Sequence, residues 1–341
     1  MQTETIRTPE RGQGSPPRLA AVRAVLRGNP LVAPAAILAV LLVVFSILNP
    51  LFISSKNIIT LLDNAAVPMV IAVGLTFIIL TGSIDLSVEG VMATVSITIS
   101  LLLANTINDQ QFGFYAVLIG LAIGLAFGLA NGILYTKLRL PSLIVTLGTW
   151  FIGLGIAAYL FPGNPPTITD SGFRAFSLSR WFGVEPLVFV ALAVVIIATL
   201  VLRYTRFGRM LYGIGGNETL VSLAGVKVDR YKIAAFTIAG FLSALAGIMI
   251  TAKLGIGNVT AGSNQLFPAI SAVVVGGTLL SGGRGSIGQT VLGVLILTVL
   301  GNGMILSGVS PYIQQAVIGV IIVTAVVIAT WRNRRPLRII K

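Results

Sequence analysis

Apolar runs of membrane-spanning length recur along this chain from residue 31 to residue 331. Crossing a bilayer core of about 30 Å takes roughly 20 apolar residues in a helix. Ten segments meet or approach that length: Leu31–Leu48, Ala65–Thr81, Val88–Leu103, Phe114–Tyr135, Leu143–Phe161, Leu187–Leu202, Ile233–Ala252, Leu266–Leu280, Ile287–Leu306 and Ile313–Trp331. The second, third and eighth are short and interrupted by polar residues, so these three are expected to be broken or partly re-entrant. Only 10% of the 341 residues are charged, against about 25% in a soluble domain, and mean hydropathy is +0.97. The fold class is an all-α membrane protein with about ten transmembrane helices. A soluble enzyme, a nucleic-acid-binding domain and a disulfide scaffold are excluded.

The chain contains neither cysteine nor histidine. That removes cysteine nucleophiles, Cys/His zinc sites, histidine-ligated haem and any Ser-His-Asp triad. The expectation is no cofactor, no metal and no catalytic residue. The net charge of +13 reflects topology rather than an affinity for nucleic acid. With ten spans, 19 of the 23 Lys and Arg fall on one side; Lys56, Arg174, Arg180 and Lys253 fall on the other. The positive-inside rule then puts both termini in the cytoplasm. Residues 1–30 read as a basic, disordered arm or one lying on anionic headgroups, followed by an uncleaved first helix rather than a signal peptide. Residues 31–331 form the membrane domain, and 332–341 a basic tail. Spans two to five and seven to ten have similar lengths and start on opposite sides, the layout of an inverted repeat.

Small residues let helices approach in lipid. Gly120, Gly124 and Gly128 form such a stripe on the fourth span. Pro268, read as lying within the eighth span, removes a backbone bond and is expected to kink it.

Polar chemistry concentrates in two places. The first is Thr81–Gly90, which joins the second and third spans. Asp85 and Glu89 stand four apart and would share a helical face; Gly82 and Ser83 would break the helix before them. A carboxylate at this depth faces a cavity or a partner. One reading is a solute pathway or gate at Asp85, Ser87 and Glu89. The other is that Asp85 caps the third span by accepting N–H bonds from residues 87 and 88. Asn131, Thr146, Thr149, Gln265, Thr278 and Asn302 add neutral donors and acceptors within the spans, as does Gln314. Such groups join helices or contact a hydroxylated solute.

The second is the long connector 203–232. Within it, Leu220, Leu223 and Ala224 fall at helical spacing, with Asn217 as N-cap and Gly225 as stop. Glu218 and Val221 complete a short amphipathic helix flanked by basic residues. It could lie on lipid or fill a groove in a soluble partner. Gly283–Thr290 mimics the spacing of a phosphate-binding loop, but Gln289 stands where that motif needs lysine. It reads as a tight turn between spans, so the chain carries no ATPase machinery of its own.

Five stretches, in order, resemble one family. They are residues 57–62 with AVGLTFIILTGSIDLSVEG (72–90), NGILYTKLRLPSLIVTLGTWFIGLG (131–155), FGRMLYGIGGNETLVSLAGVKVDRYKI (207–233), TAGSNQLFPAISAVVVGGTLLSGGRGSIG (260–288) and GNGMILSGVSPYIQQAVIG (301–319). The chain is similar to the permease subunit of ribose-type bacterial ABC sugar importers, carbohydrate uptake class 2, over roughly residues 50–330. The resemblance implies a ten-span subunit that pairs with a second copy of itself in the inner membrane. It also implies a cytoplasmic ABC ATPase subunit and a periplasmic sugar-binding protein as partners. In that family the helix at 217–226 would be the coupling helix in the ATPase groove. Two departures stand out. Glu89 occupies a position that is usually small, and Leu266 and Pro268 lie where relatives commonly carry acids. These leave the solute open among sugars, polyols and sugar-like signals. An ion-driven carrier working through Asp85 and Glu89, or a membrane enzyme using the same pair, are the competing classes.

Overall fold

The computed structural model describes residues 29–331. The arm before residue 29 and the tail after 331 lie outside the described residues. Twelve α-helices and one 3-10 turn make up this region, and no strand occurs among the described residues. In chain order the helices are α1 (Val32–Leu48), α2 (Ser55–Leu80), α3 (Val88–Leu102), α4 (Phe114–Lys137), α5 (Ser142–Leu160), α6 (Ser171–Leu178), α7 (Pro186–Tyr204), α8 (Arg206–Leu223), α9 (Val228–Leu254), α10 (Leu266–Gly276), α11 (Ile287–Leu306) and α12 (Pro311–Trp331). Six of them, α2, α4, α5, α7, α9 and α11, are long and apolar enough to cross a membrane.

The second span departs from the sequence reading. It is neither short nor broken but a continuous helix of 26 residues that starts at Ser55. Ser54 caps it by accepting the Asn57 N–H at 3.3 Å. Pro68 lies inside it. The proline is tolerated because residues 65–67 and 69–80 are almost wholly buried against α9, α10 and α11, so packing outweighs the lost backbone bond. The third and eighth spans are short, at 15 and 11 residues. Pro268 does not kink α10. It falls in the first turn, where backbone N–H groups have no intrahelical acceptor to lose.

α2 and α9 form the centre. α9 packs along α4 through the expected glycine stripe, because a Cβ at Gly124 or Gly128 would overlap the α9 backbone at Gly240 or Phe236. Gly132 extends that stripe by one turn, against Ile233. The outer helices α1, α5 and α7 turn apolar side chains away from the protein, among them Ile47, Phe151 and Ile197. Such an unpartnered apolar surface suits lipid rather than water.

The connector 203–232 is more helical than its sequence suggests. α8 begins at Arg206, and Asn217, with φ −160° and ψ 96°, divides it in two. Helix α6 is a further element absent from the sequence reading.

Candidate functional site: the polar turns and the exposed helix

Helix α2 ends at the glycine that its sequence marks. Gly82 has φ +75°; its N–H reaches the Ile79 carbonyl, and the Ser83 N–H reaches that of Ile78. This pair of bonds is a Schellman motif, which uses glycine at the left-handed position. Residues 81–87 are then non-helical. Asp85 therefore precedes α3 and does not share a helical face with Glu89, contrary to expectation. Nor does it cap residue 88. Its Oδ1 accepts from the Ser87 N–H at 2.8 Å and from the Ser87 hydroxyl at 2.6 Å, a local Asx turn. The Ser87 hydroxyl in turn accepts from Asn131 Nδ2 on α4 at 2.9 Å.

Asp85, Ser87 and Asn131 are thus one buried cluster. Asp85 Oδ2 and Asn131 Oδ1 have no hydrogen-bond partner among the described residues. Most buried polar atoms are paired, which sets these two apart from their surroundings.

Glu89 stands in the first turn of α3 but serves a different helix. Its Oε1 accepts the backbone N–H of Leu266, the first residue of α10, at 3.2 Å. Gly262 makes the approach possible, since a Cβ there would lie 2.7 Å from Glu89 Cα. Gln265, the N-cap residue of α10, neighbours this contact. A carboxylate at a helix N-terminus neutralises orphan donors and the positive end of the dipole. Glu89 thereby brings acidic character to the start of α10 from another element, where the α10 sequence supplies none.

Of the remaining polar residues, Thr146, Thr149, Asn302 and Gln314 have other hydrogen-bond partners. The Thr146 hydroxyl bonds the Ser142 carbonyl at 2.9 Å, and that of Thr149 bonds Thr146 and Val145, all within α5. Asn302 exchanges two hydrogen bonds with Asn57, at 2.9 and 3.0 Å, and so joins α11 to α2. Thr278 Oγ1 is buried, with no hydrogen-bond partner among the described residues, in the turn after α10. Gln314 Nε2 donates to the Val309 carbonyl at 2.8 Å.

The second half of α8 has the form its sequence suggests. Asn217 Oδ1 accepts the Leu220 N–H at 3.0 Å. Gly225, at φ +80°, ends the helix with another Schellman pair, Gly225 N–H to Ser222 and Val226 N–H to Val221. Leu220 and Leu223 are 63% and 79% exposed, and Ala224 is exposed beside them, while Val221 is half-buried. The apolar stripe is therefore uncovered by the chain itself. Next to it lies a cavity of about 420 Å³ lined by Lys137, Glu218, Ser222, Lys227, Asp229 and Arg230.

The Gly283–Thr290 turn has a structural purpose. A Cβ on Gly215 would overlap the Leu80 carbonyl oxygen and the Gly283 N–H, and that N–H donates to the same carbonyl at 2.9 Å. Backbone thus meets backbone where α8, the end of α2 and this turn converge. Ser286 caps α11 by accepting the Gln289 N–H at 3.2 Å, and its hydroxyl donates to Gln289 Oε1 at 3.2 Å. Gln289 therefore belongs to a capping arrangement rather than a phosphate loop. Tyr212 donates to the Gly285 carbonyl at 2.9 Å, and burial pushes its hydroxyl above the usual tyrosine range.

A further cluster escaped the sequence reading. At the opposite end of α2, Asp63 pairs with Arg180 and accepts the Glu185 N–H at 2.9 Å. Lys253 donates to the Asp63 carbonyl at 3.1 Å and to Asn64 Oδ1 at 3.0 Å. Burial pushes the Glu185 carboxyl up; Lys253 and Arg180 oppose that shift, and Asp63 adds to it. The signal was weak because these residues lie in segments read as loops or span ends, where single charges are common.

Comparison with known proteins matches residues 57–326 to a family described as the branched-chain amino acid transport system permease component. The ribose import permease of Bacillus subtilis (strain 168) is 43% identical over 263 residues, covering 76% of this chain and 80% of that protein. The ribose import permease of Escherichia coli (strain K12) is 36% identical over 264 residues, covering 76% and 81%. The L-arabinose transport system permease of the same strain is 37% identical over 261 residues, covering 76% and 78%. No solved structure matches. On these matches the chain belongs to the family of ribose-type ABC sugar importer permeases, multi-pass membrane proteins of sugar uptake.

Proposed function

We propose that this chain forms the translocation pathway for a sugar or sugar-like solute across a bacterial inner membrane, driven by ATP hydrolysis on a separate ABC ATPase subunit. The observation that carries the proposal is the uncovered Leu220–Leu223–Ala224 stripe beside a cavity lined by charged side chains of both signs. A short helix with an exposed apolar face is the form in which one protein enters another's groove.

The charge partition supports a ten-span arrangement with both ends in the cytoplasm, which would put α8 and the 420 Å³ cavity on the basic side. Helix packing favours the inverted repeat. α2 packs on α11 as α9 packs on α4; α3 packs on α5 as α10 packs on α12; α3 meets α4 as α10 meets α11. The two short helices, α3 and α10, occupy matching places in the two halves. Their meeting at Glu89 and Leu266, together with the Asp85–Ser87–Asn131 cluster, is the proposed polar lining of the route, with Gln265 beside it. A second copy of the chain and a periplasmic sugar-binding protein complete the proposed assembly.

Purification in mild detergent with mass spectrometry of what accompanies the chain tests the proposal. A co-purifying protein that carries the lysine-bearing phosphate loop, with uptake dependent on ATP, is the expected result. Recovery of the chain alone, with solute uptake into ATP-free liposomes along an ion gradient, would overturn it.

A further inference from the structure

Lys232 lies in the second turn of α9 with only 7% of its side chain exposed. A buried ammonium is stable only with partners on its donors. Lys232 Nζ donates to Glu218 Oε2 at 2.6 Å and to the Tyr135 hydroxyl at 3.0 Å, and it sits 4.9 Å from the centre of the Tyr135 ring. The Tyr135 hydroxyl also accepts from the Ser83 hydroxyl at 3.1 Å, and that hydroxyl accepts from Thr81 Oγ1 at 3.2 Å.

These bonds form one unbroken chain. Its outer end is Glu218, in the first turn of the amphipathic helix, with a side chain 52% exposed. Its inner end is Ser83, fully buried in the 81–87 turn two residues before Asp85. The path runs through α9 and α4. Each link is directional, and the two at Lys232 are charge-assisted, so they hold geometry more tightly than apolar contact does.

We propose that Lys232 and Tyr135 are positioning residues that carry displacement of the 218–223 helix to the turn bearing Asp85, and so link events at the cytoplasmic surface to the solute route. This inference rests on the reading of that helix as the ATPase contact. It assigns a role to a lysine and a tyrosine that stand between that helix and that turn.

A merely structural staple would hold α9 to α4 without affecting coupling, and the two roles separate in one experiment. The assembled importer is reconstituted in liposomes with wild-type chain, Lys232→Met, Tyr135→Phe and the double variant. Solute uptake and ATP hydrolysis are measured on the same vesicles, with thermal unfolding of each complex alongside. Tyr135→Phe removes one oxygen and keeps the ring against Phe236, 5.6 Å away between centres, so it retains the fold even if Lys232→Met does not. Each single variant is expected to lower solute moved per ATP hydrolysed by about tenfold, a typical coupling factor. The double variant should fall no further than Lys232→Met, as for residues acting in one network. An unchanged ratio, or uptake and hydrolysis falling in step with unfolded protein, overturns the positioning role alone. A wild-type chain that moves solute without ATP overturns the reading beneath it.

Discussion

Glu89 fastens α10 by that helix's first backbone N–H, and the consequence is measurable at one residue. Glu89→Ala leaves the buried Leu266 N–H without an acceptor, a loss of about 1–3 kcal/mol. Its thermal unfolding midpoint in detergent should fall by several degrees, and Glu89→Gln, which keeps an acceptor oxygen, should recover most of the loss. Equal midpoints for wild type and Ala would remove the fastening role. Asp85 calls for the opposite test. Its Oδ1 takes both bonds from Ser87, and an asparagine oxygen takes them as well. Asp85→Asn is therefore expected to insert and transport within about twofold of wild type if the carboxylate only shapes the turn. Severe loss of uptake at normal expression would give the charge a direct part in solute passage.

Elements were legible where a periodic signal met a stop signal. Gly82 and Gly225 both end helices with positive φ, and Asn217 caps as its position suggests. The start of α2 is masked in the sequence because Lys56, Asp63 and Asn64 lower the local hydropathy; Lys56 is exposed, and Asp63 and Asn64 have polar partners from other segments. The first half of α8 is not legible because its glycines discourage helix, and the backbone contacts that call for Gly208 and Gly215 are made only in the folded chain. Asp85 and Glu89 were expected on one face because spacing was read through a helix that does not begin until Val88. Tyr135, a partner of Lys232, comes from α4, and the partners of Asp63 from the connection before α7, so neither local composition nor period could disclose them. Two experiments belong to this scale. Leu223→Asp changes a residue 79% exposed, so the fold should survive while affinity for the ATPase drops about tenfold or more; pull-down at graded ATPase concentration measures this, and undiminished capture would sink the contact. Gly215→Ala should block assembly or transport, since its new carbon overlaps the Leu80 carbonyl, whereas Gly216→Ala has open space within 4 Å and should behave as wild type. Equal uptake by both variants would show that the joint tolerates a side chain.

For the molecule as a whole, the absence of cysteine makes topology directly testable on a native background. A single cysteine at Asn108, in the α3–α4 connection, should react with an impermeant maleimide added to intact cells, and one at Thr219 should react only after the membrane is opened. The reverse pattern would invert the ten-span arrangement. The class of the molecule was plain from hydropathy and five ordered motifs. Its internal wiring was not, because the bonds that unite the two halves join residues 245 positions apart in the case of Asn57 and Asn302.

The convergence of Gly215, the Leu80 carbonyl and Gly283 has a mechanical meaning. Side chains are the compliant parts of a protein: a rotamer can absorb a fraction of an ångström and pass none of it on. Here the touching surfaces are peptide planes, and the only give is in the φ and ψ torsions beside them. A shift on one side of such a joint meets backbone on the other, much as a splined shaft transmits torque where a rubber coupling would soften it.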